Sequence, residues 1–389
     1  MKNPNHGQTI ARARHMAGAT LTALSLVALA GCSSGGSSSS GPAVVTATPD
    51  DASAPVGPLP ALGYRLEWRG FPQVGGRGVK HFQIAGDTVI THDWRNVLTV
   101  MEDSTGANRW AIKLGNDLTK FVGSARVDDQ LLACSESEIQ VLDIRTGAIE
   151  ERQRLAVLAN TPPVILGSIA VFGGAAGEIF GHNLRSGYKQ WGYSMSGRIA
   201  SHPVLAEPDD IVVFSNTGEG AILNALSGQA FGRRPTLFGD LTNNPVSGPG
   251  TVFAASTDQS VWAFAIETGN QVWRHRTQSR LTDQPTYHDG RLYQAIPSEG
   301  LVAFDAANGS VIWTSKGVRG SVISVRSGSP GRLLVWDGQD AILLDAARGD
   351  EIERVSMPDV TFIRVTPFVD GNVYTATSKG TVEKYAPRN

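Results

Sequence analysis

Cysteine and histidine are the residue types in this 389-residue chain best suited to redox or metal chemistry, and both are sparse. Besides Cys32, the sequence has one cysteine, Cys134, which stands alone in an apolar stretch and is expected to be a small buried core residue. The eight histidines include no closely spaced pair of the His-x-x-x-His kind after residue 31. The sequence therefore predicts no catalytic residue, no cofactor-binding residue and no metal site.

Cys32 is the exception, because its position suits a covalent modification. It ends the sequence Leu-Ala-Gly-Cys at 29–32, after a basic segment over 1–15 and an apolar or small-residue run over 16–30. This is the layout of a secretory signal, and its last four residues resemble the bacterial lipobox, whose cysteine is acylated and becomes the new amino terminus. Residues 1–31 are thus predicted to be a lipoprotein signal peptide and Cys32 the lipidation site. An ordinary signal peptide with a chance cysteine is the alternative.

Residues 32–61 follow as a predicted flexible tether, rich first in Ser and Gly and then in Pro. Ser33, rather than Asp, follows the cysteine, a pattern that resembles outer-membrane sorting. Removing residues 1–31 takes away three basic residues and no acidic one, which leaves 31 basic against 36 acidic residues. This mildly acidic balance argues against nucleic acid as a partner, and it favours membrane attachment through acyl chains rather than through charge.

A five-residue turn signature repeats seven times along the chain. It usually begins with Asp, Asn or Glu and ends, after two variable residues, in Thr, Ser or Asn followed by Gly. Its glycines, 40 or 41 residues apart, are Gly106, Gly147, Gly187, Gly228, Gly269, Gly309 and Gly349. In such a turn the acidic or amide side chain bonds to nearby backbone N–H groups and Gly takes a positive φ. These glycines are therefore predicted to be structural.

A tryptophan stands four residues after the turn glycine in four copies, at Trp110, Trp191, Trp273 and Trp313. Trp68 lies 42 residues before Trp110, in a short N-terminal strand pattern. We expect these five indoles to pack between neighbouring repeats, where each buries a large apolar area and has an N–H that needs a partner. Stacking on a cofactor is the alternative use of the same side chains.

A second signature, a Gly or Asp turn that leads into a short β-branched strand, occurs eight times. Each period of about 40 residues therefore predicts four short strands, the size of one propeller blade. The chain ends before an eighth turn signature, and the pattern at 64–68 supplies the missing strand. Residues 62–389 are thus predicted to form an all-β, eight-bladed propeller of four-stranded antiparallel blades, with the ring closed by the N-terminal strand. An open β-solenoid is the alternative.

The pattern Asp-x-x-Thr-Gly-x-x-x-Trp, approximated at 102–110 and 305–313, resembles the repeats of quinoprotein dehydrogenases. That resemblance implies an eight-bladed propeller that binds pyrroloquinoline quinone, in many members beside a vicinal disulfide, a Ca²⁺ ion and an Asp base. The sequence has no Cys-Cys pair and no c-type haem motif. The sequence therefore lacks these features of a quinone-dependent dehydrogenase, and no cofactor is predicted.

The repeat, the lipobox, the tether and the length together are also similar to those of the BamB family, lipoproteins of the outer-membrane β-barrel assembly machinery. This resemblance implies a non-enzymatic scaffold anchored in the outer membrane and facing the periplasm. Its implied partners are BamA-like POTRA domains or other envelope proteins, although the sequence shows no motif for that docking. The alternatives are a quinone-dependent or sugar-acting enzyme with its site in the central funnel, and an envelope sensor or ligand-binding module.

Overall fold

The computed structural model describes residues 45–46, 57–75, 78–206 and 208–388. This part of the chain consists of short β-strands joined by tight turns, together with one 3₁₀-helix at Leu59–Leu62. None of its helical segments has the length and hydropathy that a membrane span requires.

The strands are short, and most have two to seven residues between turn glycines or aspartates. In chain order they are β1 (Val45–Thr46), β2 (Tyr64–Gly70), β3 (Val79–Ala85), β4 (Thr88–Asp93), β5 (Val97–Glu102), β6 (Asn108–Lys113), β7 (Phe121–Val127), β8 (Gln130–Ser135), β9 (Glu138–Asp143), β10 (Ile149–Arg154), β11 (Val164–Leu166), β12 (Ile169–Gly173), β13 (Glu178–Asn183), β14 (Tyr188–Ser194), β15 (Val204–Ala206), β16 (Asp210–Phe214), β17 (Gly220–Asn224), β18 (Val246–Gly248), β19 (Thr251–Ser256), β20 (Ser260–Ala265), β21 (Gln271–Arg276), β22 (Thr286–His288), β23 (Arg291–Ile296), β24 (Gly300–Asp305), β25 (Val311–Ser315), β26 (Ser321–Arg326), β27 (Arg332–Trp336), β28 (Asp340–Asp345), β29 (Glu351–Ser356), β30 (Val360–Thr366), β31 (Asn372–Thr377) and β32 (Val382–Pro387).

These strands form eight antiparallel sheets, which we number as blades in chain order. Blades 1 to 3 are β3–β6, β7–β10 and β11–β14, blade 4 is β15–β17, blades 5 to 7 are β18–β21, β22–β25 and β26–β29, and blade 8 combines β30–β32 with β2 and β1. The two central strands of a blade are mostly buried apolar runs, because neighbouring blades cover both of their faces. The outermost strands, such as β10, are largely exposed.

The core is divided into eight hydrophobic clusters, each built from two consecutive blades. Phe253 of blade 5 and Phe304 of blade 6, for example, share one cluster. Another cluster joins Trp68 and Tyr374 of blade 8 to Val89 of blade 1. Eight clusters for eight blades mean that the ring is closed, so the predicted eight-bladed all-β propeller is confirmed.

The closing strand is β2, which pairs antiparallel with β32 from Tyr64 opposite Pro387 to Gly70 opposite Val382. The prediction that the N-terminal strand completes the last blade is therefore confirmed. Outside β2 lies β1, which pairs with Trp68 and Arg69 and makes blade 8 a five-stranded sheet.

Blade 4 departs from the predicted four strands. Its fourth strand is reduced to two isolated bridges, Leu223 with Ala230 and Glu219 with Thr236. Pro235 lies in this stretch and has no N–H for a ladder, which accounts for the interruption.

The packed part of the chain begins earlier than residue 62. Leu59 and Leu62 of the 3₁₀-helix are both fully buried, against residues of blades 7 and 8. Leu59 lies within the segment 32–61 that the sequence predicts as a tether, and its apolar contacts explain why the chain is ordered there.

Candidate functional site

The five repeat tryptophans lie on the outer strands of blades 8, 1, 3, 5 and 6, and each faces the next blade in the ring. Every indole N–H donates to a backbone carbonyl in the turn signature of that next blade, at 2.7 to 3.2 Å. The pairs are Trp68 with Asp103, Trp110 with Ile144, Trp191 with Ala225, Trp273 with Ala306 and Trp313 with Ala346. The tryptophans therefore tie consecutive blades together.

The seven repeat glycines occupy the turns that receive these contacts. All seven have φ between +70° and +76°, where a β-carbon is strained. At five of them a β-carbon would also overlap the tryptophan ring of the preceding blade, namely at Gly106, Gly147, Gly228, Gly309 and Gly349. Glycine is thus required there both by the turn and by the blade junction.

Gly187 and Gly269 face junctions that lack a tryptophan. Next to Gly187, the side-chain amide of Gln153 donates to the Leu184 carbonyl at 2.8 Å, which is the bond a tryptophan makes elsewhere. Next to Gly269, the backbone N–H of Arg233 donates to the Thr268 carbonyl at 2.7 Å. Gln153 stands six residues after its turn glycine, Gly147, so the spacing of four residues that marks the tryptophans does not find it.

The junction between blades 8 and 1 has a polar network of its own. The Asp103 carboxylate accepts a hydrogen bond from the Tyr374 hydroxyl at 2.6 Å and pairs with the Lys384 ammonium at 2.8 Å. Burial, and then the contact with Asp103, raise the pKa of Tyr374. Lys384 is itself buried. These side chains join the last strands of the chain to the first turn signature, and no motif in the sequence marked them.

A second arrangement that the sequence analysis missed lies at the start of the first strands, which surround the axis of a propeller. Asn244 accepts a hydrogen bond from the His202 backbone N–H at 2.8 Å and donates to the Gln284 side chain at 3.2 Å. Each of these three residues directly precedes a proline, about 40 residues after the one before. The recurring pair of a polar residue and a proline was the signal in the sequence that could have indicated these hydrogen bonds between blades 4, 5 and 6.

Two histidines and one cysteine have pKa values that burial shifts so far that these side chains are neutral near pH 7. Burial lowers the pKa of His81 to about 4 and of His92 to about 3, and their rings lie 6.0 Å apart in blade 1. Burial raises the pKa of the Cys134 thiol, which lies within blade 2. Across the residues that the structure describes, no three His, Cys, Asp or Glu side chains are grouped to hold a metal ion. Cys32 lies outside the described residues.

The outer strands of the blades differ in charge. Blades 2, 5 and 7 have an arginine five residues after the turn glycine, and each lies near a carboxylate of its own blade. The pairs are Arg152 with Glu138 at 3.0 Å, Arg274 with Asp258 at 3.8 Å and Arg354 with Asp340 at 3.3 Å. Blade 6 has Thr314 at this position, and its outer strand β25 contains no charged side chain.

A cavity of about 590 Å³ lies at the end of β25. Its lining includes Thr314 of that strand, two cationic side chains, Lys316 and Arg319, and one carboxylate, Glu299. The outer edge of blade 6 therefore runs into a pocket with an excess of positive charge.

The sequence profile of the family described as "Outer membrane protein assembly factor BamB" matches residues 63–264 and 221–388, which together span the propeller. The chain belongs to the BamB family. The resemblance drawn from the repeats is thereby confirmed.

Two curated BamB proteins are distant relatives. BamB of Francisella tularensis subsp. tularensis (strain SCHU S4 / Schu 4) is 25% identical over 210 residues, which cover 48% of this chain and 44% of the relative. BamB of Burkholderia pseudomallei (strain K96243) is 24% identical over 165 residues, which cover 39% of this chain and 40% of the relative. The chain thus aligns with less than half the length of either protein.

Solved structures show the same fold at lower identity. The crystal structure of BamB from Moraxella catarrhalis has a TM-score of 0.66 at 18% identity, and the match covers 83% of this chain and 99% of that one. The computationally designed Ika8 protein also has a TM-score of 0.66, at 15% identity, with 82% and 100% covered. Because a natural BamB and a designed protein share the fold, the propeller alone does not define a function.

Proposed function

We propose that this BamB-family chain is a non-enzymatic, lipid-anchored scaffold that binds other proteins during outer-membrane protein assembly. The observation that carries the proposal is the set of contacts that the repeat tryptophans make. Tryptophans that could stack on a cofactor instead donate to the next blade and pack on its turn glycine. The residues shared with quinone enzymes therefore serve the ring itself, and the exposed rims and faces are left for partners.

The cysteines of the chain do not fit the quinone site that the repeat resemblance implies. In many members of that family such a site has two adjacent cysteines against the quinone, whereas Cys32 and Cys134 are far apart in sequence. Cys134 is fully buried in a central strand of blade 2, where its thiol contacts apolar side chains. We therefore derive no redox step for this protein.

The anchor in this proposal is Cys32, acylated after removal of residues 1–31. The remaining chain is mildly acidic, so anionic lipid headgroups do not attract it. Acyl chains are therefore the means of attachment. The propeller then lies on the periplasmic side of the outer membrane. BamA-like POTRA domains, or other envelope proteins, are its proposed partners.

Cross-linking in cells, followed by mass spectrometry of proteins bound to the full chain, tests the partner. The expected result is recovery of a barrel-assembly component cross-linked to the propeller. Its absence, with the chain present in the membrane fraction, would contradict the scaffold role. The Cys32→Ala variant is the matched control for the anchor, and it should lose palmitate labelling and move to the soluble fraction.

Reconstitution tests the non-enzymatic part separately. The purified chain, mixed with pyrroloquinoline quinone and Ca²⁺, is expected to leave the quinone absorbance spectrum unchanged. Saturable binding at micromolar quinone would show that the channel accepts a cofactor and would overturn this part of the proposal.

A further inference from the structure

We infer that the outer edge of blade 6 is a docking site for an extended segment of another polypeptide, which adds to β25 as a fifth antiparallel strand. The inference rests on the proposed function, because it assigns a surface to the scaffold. It also specifies the partner segment, which is uncharged and β-branched or aromatic, with acidic residues before it.

Blade 8 shows how a fifth strand adds to a blade. There β1 pairs with β2 at Trp68 and Arg69, directly after the point where the register of β2 against β32 shifts. In blade 6 the same shift precedes Trp313, so Trp313 and Thr314 stand where Trp68 and Arg69 stand. The backbone that receives β1 in blade 8 thus has a counterpart in β25, which has no outer partner among the described strands.

Charge separates blade 6 from the other blades. Charged side chains on an edge strand oppose the addition of a further strand unless a neighbouring charge neutralises them, and beside β1 the Glu383 carboxylate neutralises Arg69. The other complete outer strands, β2, β6, β10, β14, β21 and β29, each contain at least one Lys or Arg, whereas β25 contains none. Instead β25 exposes Val311, Ile312 and Thr314, β-branched residues that suit cross-strand pairing. Blade 6 is therefore the edge best suited to strand addition.

The cavity at the end of β25 defines the flanking charge of the partner. An added antiparallel strand has its N-terminal end near the C-terminal end of β25, where Lys316 and Arg319 line the cavity. Neither side chain forms an ion pair with the described residues, while the arginines of blades 2, 5 and 7 all lie near carboxylates. Acidic residues just before the added strand would meet these two cations.

Charge also favours a different polypeptide over a second copy of this chain. If two copies paired through β25, the residues next to Lys316 and Arg319 would be those that precede β25 in the partner copy. These are Asn308, Gly309 and Ser310, which bring no negative charge. A copy of this chain therefore leaves the two cations uncompensated.

The test measures amide hydrogen exchange of the full chain in detergent, with a blocked peptide of two glutamates followed by six alternating threonines and valines. The peptide should slow exchange in the segment 313–315. Thr314→Arg introduces a charge opposite Val302, where β24 has no carboxylate to neutralise it as Glu383 does in blade 8, and it should weaken binding at least tenfold. Asn308→Arg adds the same charge in the turn of the same blade, where blade 7 has Arg348, and it should leave binding unchanged.

Two further peptides test the inference on the unaltered protein, so that the result does not depend on the folding of a variant. Replacing the glutamates by lysines should weaken binding at least tenfold. N-methylation of alternate residues, which blocks the main-chain ladder, should abolish the protection. The inference would be overturned if the peptide protected another blade or protected nothing. It would also be overturned if Thr314→Arg and Asn308→Arg weakened peptide binding equally, or if protection appeared with protein concentration alone.

Failure of this inference can be told apart from failure of the scaffold role. If the wild-type chain cross-links to a barrel-assembly protein in cells but the peptide protects nothing at 313–315, the scaffold role stands and the blade 6 edge is not its docking site. If no such protein cross-links while the peptide protects 313–315, the edge binds strands and the assembly role fails.

Discussion

The junction between blades 5 and 6 and the junction between blades 8 and 1 share one contact but differ in what surrounds it. In the first, the Trp273 indole donates to the Ala306 carbonyl at 2.9 Å. In the second, the Trp68 indole donates to the Asp103 carbonyl at 2.7 Å. Blades 5 and 6 are each formed from consecutive residues, whereas blade 8 takes its outer strand β2 from the other end of the chain.

The closing junction carries additional side-chain contacts for this reason. Asp103 binds Lys384 and Tyr374 at this junction, and on the other side of blade 8 the Arg326 guanidinium of blade 7 donates to the backbone carbonyls of Gly63 and Arg388 at 3.3 and 3.0 Å. A junction between consecutive blades can depend on apolar packing, because the chain itself keeps the blades adjacent. A junction between distant segments must also overcome the entropy of bringing them together, and the polar contacts serve this purpose.

The largest expected effect comes from removing the shared indole on each side of the comparison. Trp273→Ala should lower the free energy of unfolding by about 3–5 kcal/mol, as for large buried aromatic residues in general. Trp68→Ala should cost more, because β2 then loses its main contact with blade 1 and the ring can open. Urea unfolding followed by circular dichroism measures both variants. An equal or smaller loss for Trp68→Ala would contradict a special role for the closing strand.

Acid should weaken blade 1, which receives the closing contact. Burial lowers the pKa of His81 to about 4 and of His92 to about 3, below the usual value of about 6.5. Above about pH 7.5 both imidazoles are neutral whether the chain is folded or not. As the pH falls below 6.5, the unfolded chain takes up protons that the folded chain refuses, so stability falls, by up to about 3 kcal/mol between pH 7.5 and 5.5 for the two histidines.

Urea unfolding at both pH values measures this loss in the wild-type chain and in the His81→Gln/His92→Gln variant. The variant should retain a smaller pH dependence than the wild type. An unchanged pH dependence would mean that other groups control acid stability.

Two turn glycines of blade 6 separate the cost of the turn from the cost of the contact. Gly290 and Gly309 both have φ of +73°, but a β-carbon at Gly290 has no atom within 4 Å, whereas one at Gly309 would overlap Trp273. Gly290→Ala should cost about 1 kcal/mol from backbone strain, and Gly309→Ala about 2 kcal/mol more from displaced packing. Thermal and urea unfolding of the two variants test this, and equal losses would mean that the indole adapts freely.

The smallest expected difference concerns the ion pair at the closing junction. Lys384 is 8% exposed and Asp103 is 23% exposed, while the pair of Lys113 and Asp117 is more than half exposed on both sides. Lys384→Met should lower stability by about 2 kcal/mol, because it leaves a partly buried carboxylate without its cation. Lys113→Met should change stability by less than about 0.5 kcal/mol. A similar small effect for both would show that the network contributes little to closure.

The repeat determined how much of this molecule could be predicted from its sequence. The glycine spacing and the unpaired N-terminal strand were sufficient for eight blades and for the closing strand β2, because period and strand count are properties of the chain alone. The missing fourth strand of blade 4 was not foreseen, since it depends on Pro235 breaking a ladder that the repeat otherwise predicts.

Contacts between side chains that are distant in the sequence could not be predicted either, because the repeat pattern does not determine them. Asp103 lies in a turn signature like several others, and only the folded ring places Lys384 and Tyr374 beside it. Gln153 replaces a tryptophan from a position two residues away, which a fixed spacing does not find. The neutral edge of β25 is visible in the sequence as Val-Ile-Trp-Thr-Ser, but its meaning depends on knowing that this strand is outermost.

The most direct test of the account is a disulfide across the closing strand. In a purified chain with Cys32 and Cys134 replaced by alanine, Arg65→Cys/Ala386→Cys joins two residues that stand opposite each other in β2 and β32, whereas Arg65→Cys/Arg388→Cys is out of register by two residues. We predict that the first pair oxidises within one molecule at low protein concentration and migrates faster on a non-reducing gel, and that the second does not. Failure of the first pair to cross-link, or its oxidation only between molecules, would contradict a ring closed by its own N-terminal strand.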